Sequence, residues 1–280
     1  MTKDFLQLAK PRIALMVGLT TWLGWALAGG TASPSLFFVL LGASLAAAAC
    51  GALNQRMEIV EDGLMNRTRN RPLPTGRVSP RAALIFGLSL SFAGTLLVCA
   101  AGGLMAGALT AATIVLYVLV YTPLKKVTPQ TTWIGAAAGA TSPVIGWLAA
   151  GGPLDRRAFV LFAIQFLWQI PHFLALFWIY REDYARAGFK VMPVVHPDGG
   201  TTALQIAIHS FTLLPATIAP ALVGLARPGY AIGAFAVSGS FLLLGLRASW
   251  TMSLVDNRRL FLASLVFLPL IFGMLLFGGV

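Results

Sequence analysis

The sequence NQRMEIVEDGLMNRTRNRPLPTGR occupies residues 54–77 and is a strongly charged stretch in an otherwise apolar chain. Its acids, between Glu58 and Asp62, come before most of its arginines. Long hydrophobic runs lie on both sides, at about 35–54 and 82–101. A charged segment between two apolar runs of about 20 residues predicts a polar connection between membrane-spanning helices.

The composition of the whole chain agrees with this interpretation. Of 280 residues, 58% are hydrophobic and 10% are charged, and the mean hydropathy is +0.81. Soluble domains carry about 25% charged residues. The two cysteines, Cys50 and Cys99, lie inside apolar runs and are interpreted as packing residues rather than a disulfide or a metal site. We therefore predict an all-α polytopic membrane protein, folded as a single domain over residues 1–280.

Nine hydrophobic runs are long enough to cross a bilayer core of about 30 Å as helices. Clusters of Gly, Pro and Ser separate several of them. The predicted spans are about 12–30, 35–54, 82–101, 103–122, 131–150, 158–180, 203–224, 230–250 and 260–279.

The basic residues divide unevenly between the two sides of these nine spans. The side of the N-terminus holds 17 Lys and Arg, and the other side holds only Arg156, Arg157 and Arg227. The positive-inside rule then predicts a cytoplasmic N-terminus and an external C-terminus. The net charge of +11 is thus explained by sorting across a membrane, without a nucleic-acid partner. The first residues show no removable leader, which favours a prokaryotic cytoplasmic membrane.

Acidic residues follow the same side, although the rule does not require it, since only Asp155 of nine acids is external. Asn54, Glu58 and Asp62 are spaced by four residues and would share one helix face, with Glu61 beside them. Carboxylates that converge with an amide suit Mg²⁺, which often also binds substrate phosphates. The pattern predicts a magnesium site at the cytoplasmic end of the second span.

Arginines follow these acids and add an anion-binding element. They are Arg67, Arg69, Arg71 and Arg77. Guanidinium groups match phosphate oxygens in geometry and charge. Acids for a metal and arginines for an anion together predict a site for a metal–diphosphate ligand. The alternative is a solvated, salt-bridged loop that only enforces topology.

A second polar cluster lies in residues 165–193. If one helix continues through Pro171, four polar residues fall on one face of an aromatic span. They are Gln165, Gln169, His172 and Asp183. Polar groups at membrane depth usually face a cavity or a partner helix. The acids Glu182 and Asp183 would emerge on the cytoplasmic side, where they could complete the metal site.

Together these motifs resemble the UbiA superfamily of intramembrane prenyltransferases, and within it the heme O synthases. The superfamily motif N-x-x-x-D-x-x-x-D reads Asn54, Glu58 and Asp62 here, with Glu in the middle position. Three further stretches resemble that branch: LMNRTRNRPLPTGR from Leu64, YTPLKKVTPQTTWIGAAAGATSPVIGW from Tyr121 and WQIPHFLALFWIYREDYARAGFKVMPVV from Trp168. The resemblance covers about residues 8 to 275. The second motif has only Glu182 and Asp183 as acids, which leaves the number of Mg²⁺ ions open.

The resemblance implies transfer of a farnesyl group from farnesyl diphosphate to a vinyl group of heme B, with addition of water. The product would be heme O, and a heme A synthase or a terminal oxidase is implied as a recipient. Mg²⁺ would be held by Asn54, Glu58, Asp62 and Asp183, with Glu182 as a further candidate. The implied substrate-binding residues are Arg67, Arg71, Lys125, Lys126, Tyr184, Trp168, Gln169, His172 and His209.

Several of these assignments have plain structural alternatives. Lys125 and Lys126 could be topology charges, and His172 could be a helix-packing residue. The aromatic residues Trp133, Trp168, Phe173 and Phe177 are candidates to shield a carbocation by their π faces, or ordinary packing residues. His172 and His209 are candidates for heme iron or propionate contacts.

Three other functions compete with this one. A related prenyltransferase could act on a quinone precursor or another tetrapyrrole. A transporter could use the same charged lining, although its inverted repeats are not visible here. A non-enzymatic assembly factor could present heme without chemistry, and it would tolerate Asp62→Asn.

Overall fold

The structure, a computed structural model, describes residues 2–278, and this range contains helices and connecting turns without a β-strand. A π-helical segment, Leu116–Tyr121, lies between α6 and α7. The helices are α1 (Thr2–Ala9), α2 (Pro11–Leu27), α3 (Pro34–Met57), α4 (Ile59–Leu64), α5 (Pro80–Gly102), α6 (Leu104–Val115), α7 (Thr122–Leu124), α8 (Thr131–Gly139), α9 (Thr141–Ala149), α10 (Arg156–Ile179), α11 (Arg181–Arg186), α12 (Met192–Val195), α13 (Gly200–Leu222), α14 (Pro228–Thr251) and α15 (Leu254–Phe277). Gly279, the last residue of the ninth predicted span, lies outside the described residues.

Helix starts follow from local sequence chemistry. Ser33 and Ser79 each accept a hydrogen bond from a backbone N–H three residues on, at the starts of α3 and α5. The next residue in each case is proline, which needs no N–H partner at the first helical position. These Ser-Pro pairs separate the apolar runs into distinct helices.

Seven helical segments within residues 2–278 are long and apolar enough to cross a membrane. They are Pro34–Met57, Pro80–Gly102, Leu104–Leu124, Arg156–Ile179, Gly200–Leu222, Pro228–Thr251 and Leu254–Phe277. Large apolar side chains on them are exposed, such as Phe92 at 73% and Ile232 at 77%. A bilayer would cover such surfaces. Exposure of many large apolar side chains to water at the same time would be unfavourable.

The other two predicted spans are realised differently. The first corresponds to α2, which has 17 residues, and the fifth to α8 and α9, which have 9 residues each. The break at Ala140 has a local cause in Pro143. Proline lacks an N–H and clashes with the carbonyl four residues earlier, here Gly139, so a continuous helix is interrupted. The predicted span over 131–150 therefore contains two short helices, α8 and α9, instead of one continuous helix.

The described chain divides into two compact units. Unit 1 comprises residues 2–127, 141–153 and 183–189. In it α3 packs against α5 and α2, and α9 packs against α2 and α6. The backbones of α3 and α5 approach closely at Gly42 and Gly94. A Cβ added to Gly42 would lie 2.7 Å from the Gly94 carbonyl oxygen, and a Cβ added to Gly94 would lie 2.7 Å from the Gly42 carbonyl oxygen. Only glycine at both positions permits this approach.

Unit 2 comprises residues 128–140, 154–182 and 190–278. Here α10 packs against α8, α13 and α15, and α14 packs against α13 and α15. Pro171 lies inside α10 without ending it. The helix ends at Ile179, and Tyr180 caps it with φ −108° and ψ 22°. The assumption that one helix runs on to Asp183 is therefore wrong.

Candidate functional site

The first acidic motif lies where α3 gives way to α4. Asn54 belongs to the last turns of α3, Glu58 lies between the two helices, and Asp62 belongs to α4. The Glu58 N–H donates to the Asn54 carbonyl at 3.0 Å, and the Asp62 N–H donates to the Glu58 carbonyl at 2.7 Å. The four-residue register thus continues across the break. All three side chains are buried, with 2–4% of their surface exposed.

Each buried acid of this motif is paired with a cation from unit 1. Both carboxylate oxygens of Asp62 accept from Arg71 Nη1 at 2.8 Å. Glu58 forms an ion pair with Lys125. The more exposed Glu61 pairs with Lys126, whose side chain is 44% exposed. Charges at such depth need partners of opposite sign, because unpaired burial is strongly unfavourable.

Asp183 also belongs to unit 1 and forms a hydrogen bond with Arg67, the first of the four arginines that follow the acidic motif. Its Oδ2 accepts from the backbone N–H of Arg67 at 3.3 Å, and its Oδ1 accepts from Arg186 Nη2 at 2.6 Å. The Arg67 guanidinium donates to the Tyr184 hydroxyl at 3.3 Å. Burial raises the pKa of Tyr184, so this hydroxyl keeps its proton at neutral pH. The structure therefore brings Asp183 to the backbone of Arg67, while Glu182 is exposed and belongs to unit 2.

Lys125 occupies an aromatic corner beside its ion pair with Glu58. Its Nζ lies 5.1 Å from the centre of the Tyr121 ring and 5.2 Å from that of Phe189. Cation–π contacts of this kind stabilise an ammonium group that water reaches poorly. The buried position distinguishes Lys125 from its exposed neighbour Lys126, which is more typical of a topology charge.

Lys10 is a functional candidate that the sequence analysis counted only as a topology charge. It joins α1 to α2 in the left-handed conformation, with φ 48° and ψ 62°. Its side chain lies over Gly51, where an added Cβ would lie 3.2 Å from Lys10 Cδ. Burial, with Arg71 and Lys125 nearby, lowers the pKa of Lys10 to about 8. No sequence pattern marks this residue, because its neighbours are brought there only by the fold.

In unit 2 the glutamines of α10 bind backbone carbonyls. Gln165 Nε2 donates to the Gly139 carbonyl at 2.9 Å, and Gln169 Nε2 donates to that of Ala136 at 3.1 Å. Both bonds join α10 to α8. The amide nitrogen of Gln169 thus helps to hold α10 against α8.

His172 and Trp168 join α10 to α15 at one residue. His172 Nδ1 lies 2.7 Å from Ser264 Oγ, and Trp168 Nε1 donates to the Ser264 carbonyl at 2.8 Å. The two rings stack with centroids 5.2 Å apart, and Phe261 lies 4.9 Å from the imidazole centroid. The other imidazole nitrogen, Nε2, makes no hydrogen bond within residues 2–278.

His209 differs because both of its ring nitrogens are occupied. Nδ1 lies 2.8 Å from the Gln205 carbonyl and therefore donates, and Nε2 accepts from Trp133 Nε1 at 3.2 Å. A neutral imidazole has one donor and one acceptor. Iron or propionate binding would have to break one of these bonds, and the assignment of His209 to the heme substrate stays a prediction.

The side chains of Asn54, Glu58, Asp62 and Asp183 carry oxygen atoms that could bind a metal ion. Hard oxygen donors suit Mg²⁺, and all four side chains are at most 8% exposed. Within residues 2–278 no group of three or more His, Cys, Asp or Glu side chains is arranged as a metal site. These side chains could bind the ion only if some of the carboxylates gave up their present cation partners.

Known proteins match this chain over nearly its whole length. The UbiA prenyltransferase family matches residues 16–274. A curated relative from Solibacter usitatus, named protoheme IX farnesyltransferase, is 40% identical over 285 residues, which cover 98% of each protein.

Two solved structures share the fold. The structure of a digeranylgeranylglyceryl phosphate synthase has a TM-score of 0.83 at 14% identity, covering 99% of this chain and 98% of that chain. A UbiA homologue from Archaeoglobus fulgidus bound to DMAPP and Mg²⁺ has a TM-score of 0.66 at 16% identity, covering 97% of this chain and 99% of that chain. Family match, full-length relative and fold agree, and the chain belongs to the UbiA prenyltransferase family.

Proposed function

We propose that the protein transfers a farnesyl group from farnesyl diphosphate to a vinyl group of heme B, giving heme O and diphosphate. The observation that carries the proposal is the near full-length match to a protoheme IX farnesyltransferase in a chain whose unit 1 gathers buried acids with cations. In the reaction the farnesyl C1–O bond breaks and C1 bonds to the terminal vinyl carbon. Water adds to the inner vinyl carbon and releases a proton.

The diphosphate would be held in unit 1. Arg67, Arg71, Lys125 and Lys126 are the proposed contacts, and Lys10 joins them. The ion pairs of Arg71 with Asp62 and of Lys125 with Glu58 support this assignment, because each cation can exchange a carboxylate for a phosphate oxygen without becoming unpaired. Tyr184 would keep the Arg67 guanidinium oriented.

Magnesium would be held by Asn54, Glu58, Asp62 and Asp183, with Glu182 as a weaker candidate because it is exposed. When bound, the ion offsets the negative charge that develops on the leaving diphosphate. Support comes from the donor chemistry described above and from the fold neighbour that binds DMAPP and Mg²⁺.

The acceptor would be oriented by residues of unit 2. A vinyl group is a weak nucleophile, so orientation of the macrocycle matters more than a strong base. His172 is the proposed iron or propionate contact, since its Nδ1 is held by Ser264 and its Nε2 makes no hydrogen bond within the described part of the chain. Trp168 and Gln169 would contact the acceptor on either side of His172, and the ring of Trp168 would shield the carbocation from early attack by water.

We further propose nine spans, a cytoplasmic N-terminus and an external C-terminus in a prokaryotic cytoplasmic membrane. The lipid bilayer would supply both substrates, and the whole of residues 1–280 would act as one prenyltransferase domain with its site toward the cytoplasm. The 17 to 3 split of basic residues supports the orientation. A heme A synthase or a terminal oxidase would receive the product.

The test is product analysis with purified protein in detergent. Heme B, farnesyl diphosphate and Mg²⁺ are expected to give a hydrated, farnesylated heme by mass spectrometry, and EDTA should abolish it. A quinone precursor offered in competition should remain unmodified. Transfer to that precursor in place of heme would overturn the heme assignment and leave the diphosphate site standing.

A further inference from the structure

Asn54 is held by Thr122, a residue to which the sequence analysis assigned no role. Its Nδ2 lies 3.2 Å from Thr122 Oγ1, and both side chains are buried. Thr122 in turn directs its hydroxyl to the Tyr117 carbonyl at 2.9 Å. These three residues form a chain of hydrogen bonds inside unit 1.

The direction of this chain is fixed by chemistry. A carbonyl oxygen can only accept, so the single hydroxyl proton of Thr122 is committed to Tyr117. The hydroxyl can then only accept from Asn54, which requires the NH₂ end of the amide to face Thr122. The amide oxygen Oδ1 is thereby turned away, and it makes no hydrogen bond within residues 2–278.

The π-helical segment creates this arrangement. Thr122 lies immediately after Leu116–Tyr121, and its backbone N–H also donates to the Tyr117 carbonyl, five residues back. One extra residue in the turn rotates the residues that come after it about the helix axis. Such π turns are often found at functional sites.

Two contacts then tie this segment to the first acidic motif. Thr122 meets Asn54, and three residues later Lys125 meets Glu58, four residues after Asn54. Residues three and four apart lie on one helix face, so the two pairs form successive links between the same two segments.

We propose that Thr122 is a positioning residue that presents the Oδ1 atom of Asn54, rather than its NH₂ group, to a divalent cation. The inference rests on the proposed function, because that function makes Asn54 a metal ligand. Without Thr122 the amide is free to turn by 180°, and its NH₂ end would repel a cation. Partners that orient metal ligands typically contribute 10- to 100-fold in affinity or activity.

The test uses Thr122→Val, which removes the hydroxyl and keeps the shape, and Thr122→Ser, which keeps the hydroxyl. Thr110→Val is the matched control, because Thr110 is equally buried on α6 and its hydroxyl bonds only the Ala106 carbonyl at 2.8 Å. The readout is binding of Mn²⁺, as a spectroscopic stand-in for Mg²⁺, followed by electron paramagnetic resonance with farnesyl diphosphate present. It needs no heme and no turnover.

We expect Thr122→Val to weaken Mn²⁺ binding by about 10-fold or more, Thr122→Ser to restore it to within about threefold, and Thr110→Val to leave it unchanged. In an Asn54→Ala background, Thr122→Val should have no further effect, because the two residues act through one atom. Equal weakening by Thr110→Val, or a full effect without Asn54, would overturn the proposal. So would failure of Thr122→Val and Thr122→Ala to fold while Thr110→Val folds, since Thr122 would then be structural.

The same samples separate this inference from the proposed function. Wild-type protein that binds Mn²⁺ with farnesyl diphosphate but forms no heme O would refute the acceptor and leave the Thr122 result valid. Wild-type protein that binds no Mn²⁺ under these conditions would refute the metal site and, with it, the role of Thr122.

Discussion

The two compact units satisfy their buried polar groups by different means. In unit 1 the acids Glu58 and Asp62 are paired with the cations Lys125 and Arg71. Along α10 in unit 2, Gln169 and His172 bond instead to a backbone carbonyl and a hydroxyl. An ion pair can exchange one charged partner for another, whereas a neutral hydrogen bond contributes only about 1 kcal/mol and serves to hold helices together. The comparison agrees with the proposal that the cations of unit 1 hold the diphosphate and that α10 contacts the heme.

The largest expected effect tests the charged half of this comparison. Asp62→Asn keeps the size of the side chain, removes the partner of Arg71 and removes a proposed metal ligand. We expect kcat/KM for heme O formation to fall about 10³-fold. The control is Asp155→Asn, because Asp155 pairs with Arg157 and caps α10, and asparagine also caps helices well. Full magnesium-dependent turnover by Asp62→Asn would show that the metal assignment is wrong.

A second prediction separates function from topology at the two adjacent lysines. Lys125→Met and Lys126→Met remove the same charge from the same loop, so any effect on membrane orientation is shared. Lys125 is buried with Glu58, and Lys126 is 44% exposed. We expect the Lys125 variant to raise KM for farnesyl diphosphate about 100-fold and the Lys126 variant about threefold or less. Equally small effects would make both lysines topology charges, and equally large effects would make both of them diphosphate contacts.

A third prediction tests the neutral half of the comparison. His172→Ala should lower kcat/KM for heme about 10-fold and leave KM for farnesyl diphosphate unchanged, because His172 belongs to unit 2 and would contact only the acceptor. His209→Ala should instead lower the melting temperature, since it breaks bonds to Trp133 and Gln205. Steady-state kinetics and heme titration by absorbance report the first effect, and a thermal unfolding curve reports the second. If His209→Ala changes the heme spectrum and His172→Ala does not, the two roles are reversed.

The sequence predicted the long helices, because about 20 consecutive apolar residues are the length of a helix that crosses the bilayer core. The predicted span 35–54 corresponds to α3 and the span 158–180 to α10. It missed the break at Ala140, because a hydropathy window does not register the backbone clash that Pro143 causes with the turn before it.

For the site, residue type and spacing carried the prediction only part of the way. The backbone keeps the four-residue register from Asn54 through Glu58 to Asp62, as expected from a helix, and their joint binding of a metal stays a prediction. Lys10 and Thr122 were not found, since their contacts with α3 depend on a left-handed turn and on a π turn. Neither turn has a signal in a pattern of charge and hydropathy.

The smallest expected effect concerns Lys10 and pH. Its pKa is lowered to about 8, so the ammonium charge is present below that pH and is lost above it. If Lys10 contacts the diphosphate, KM for farnesyl diphosphate should rise about threefold between pH 7 and pH 9 in the wild type. Lys10→Arg keeps its charge throughout this range and should show no such rise, although its KM at pH 7 need not match. Lys10→Met should have a raised KM that does not depend on pH in this window. The same rise in Lys10→Arg as in the wild type would assign the titration to another group, and Lys10 would then lie near the charged motif of unit 1 without contributing to its affinity for the anion.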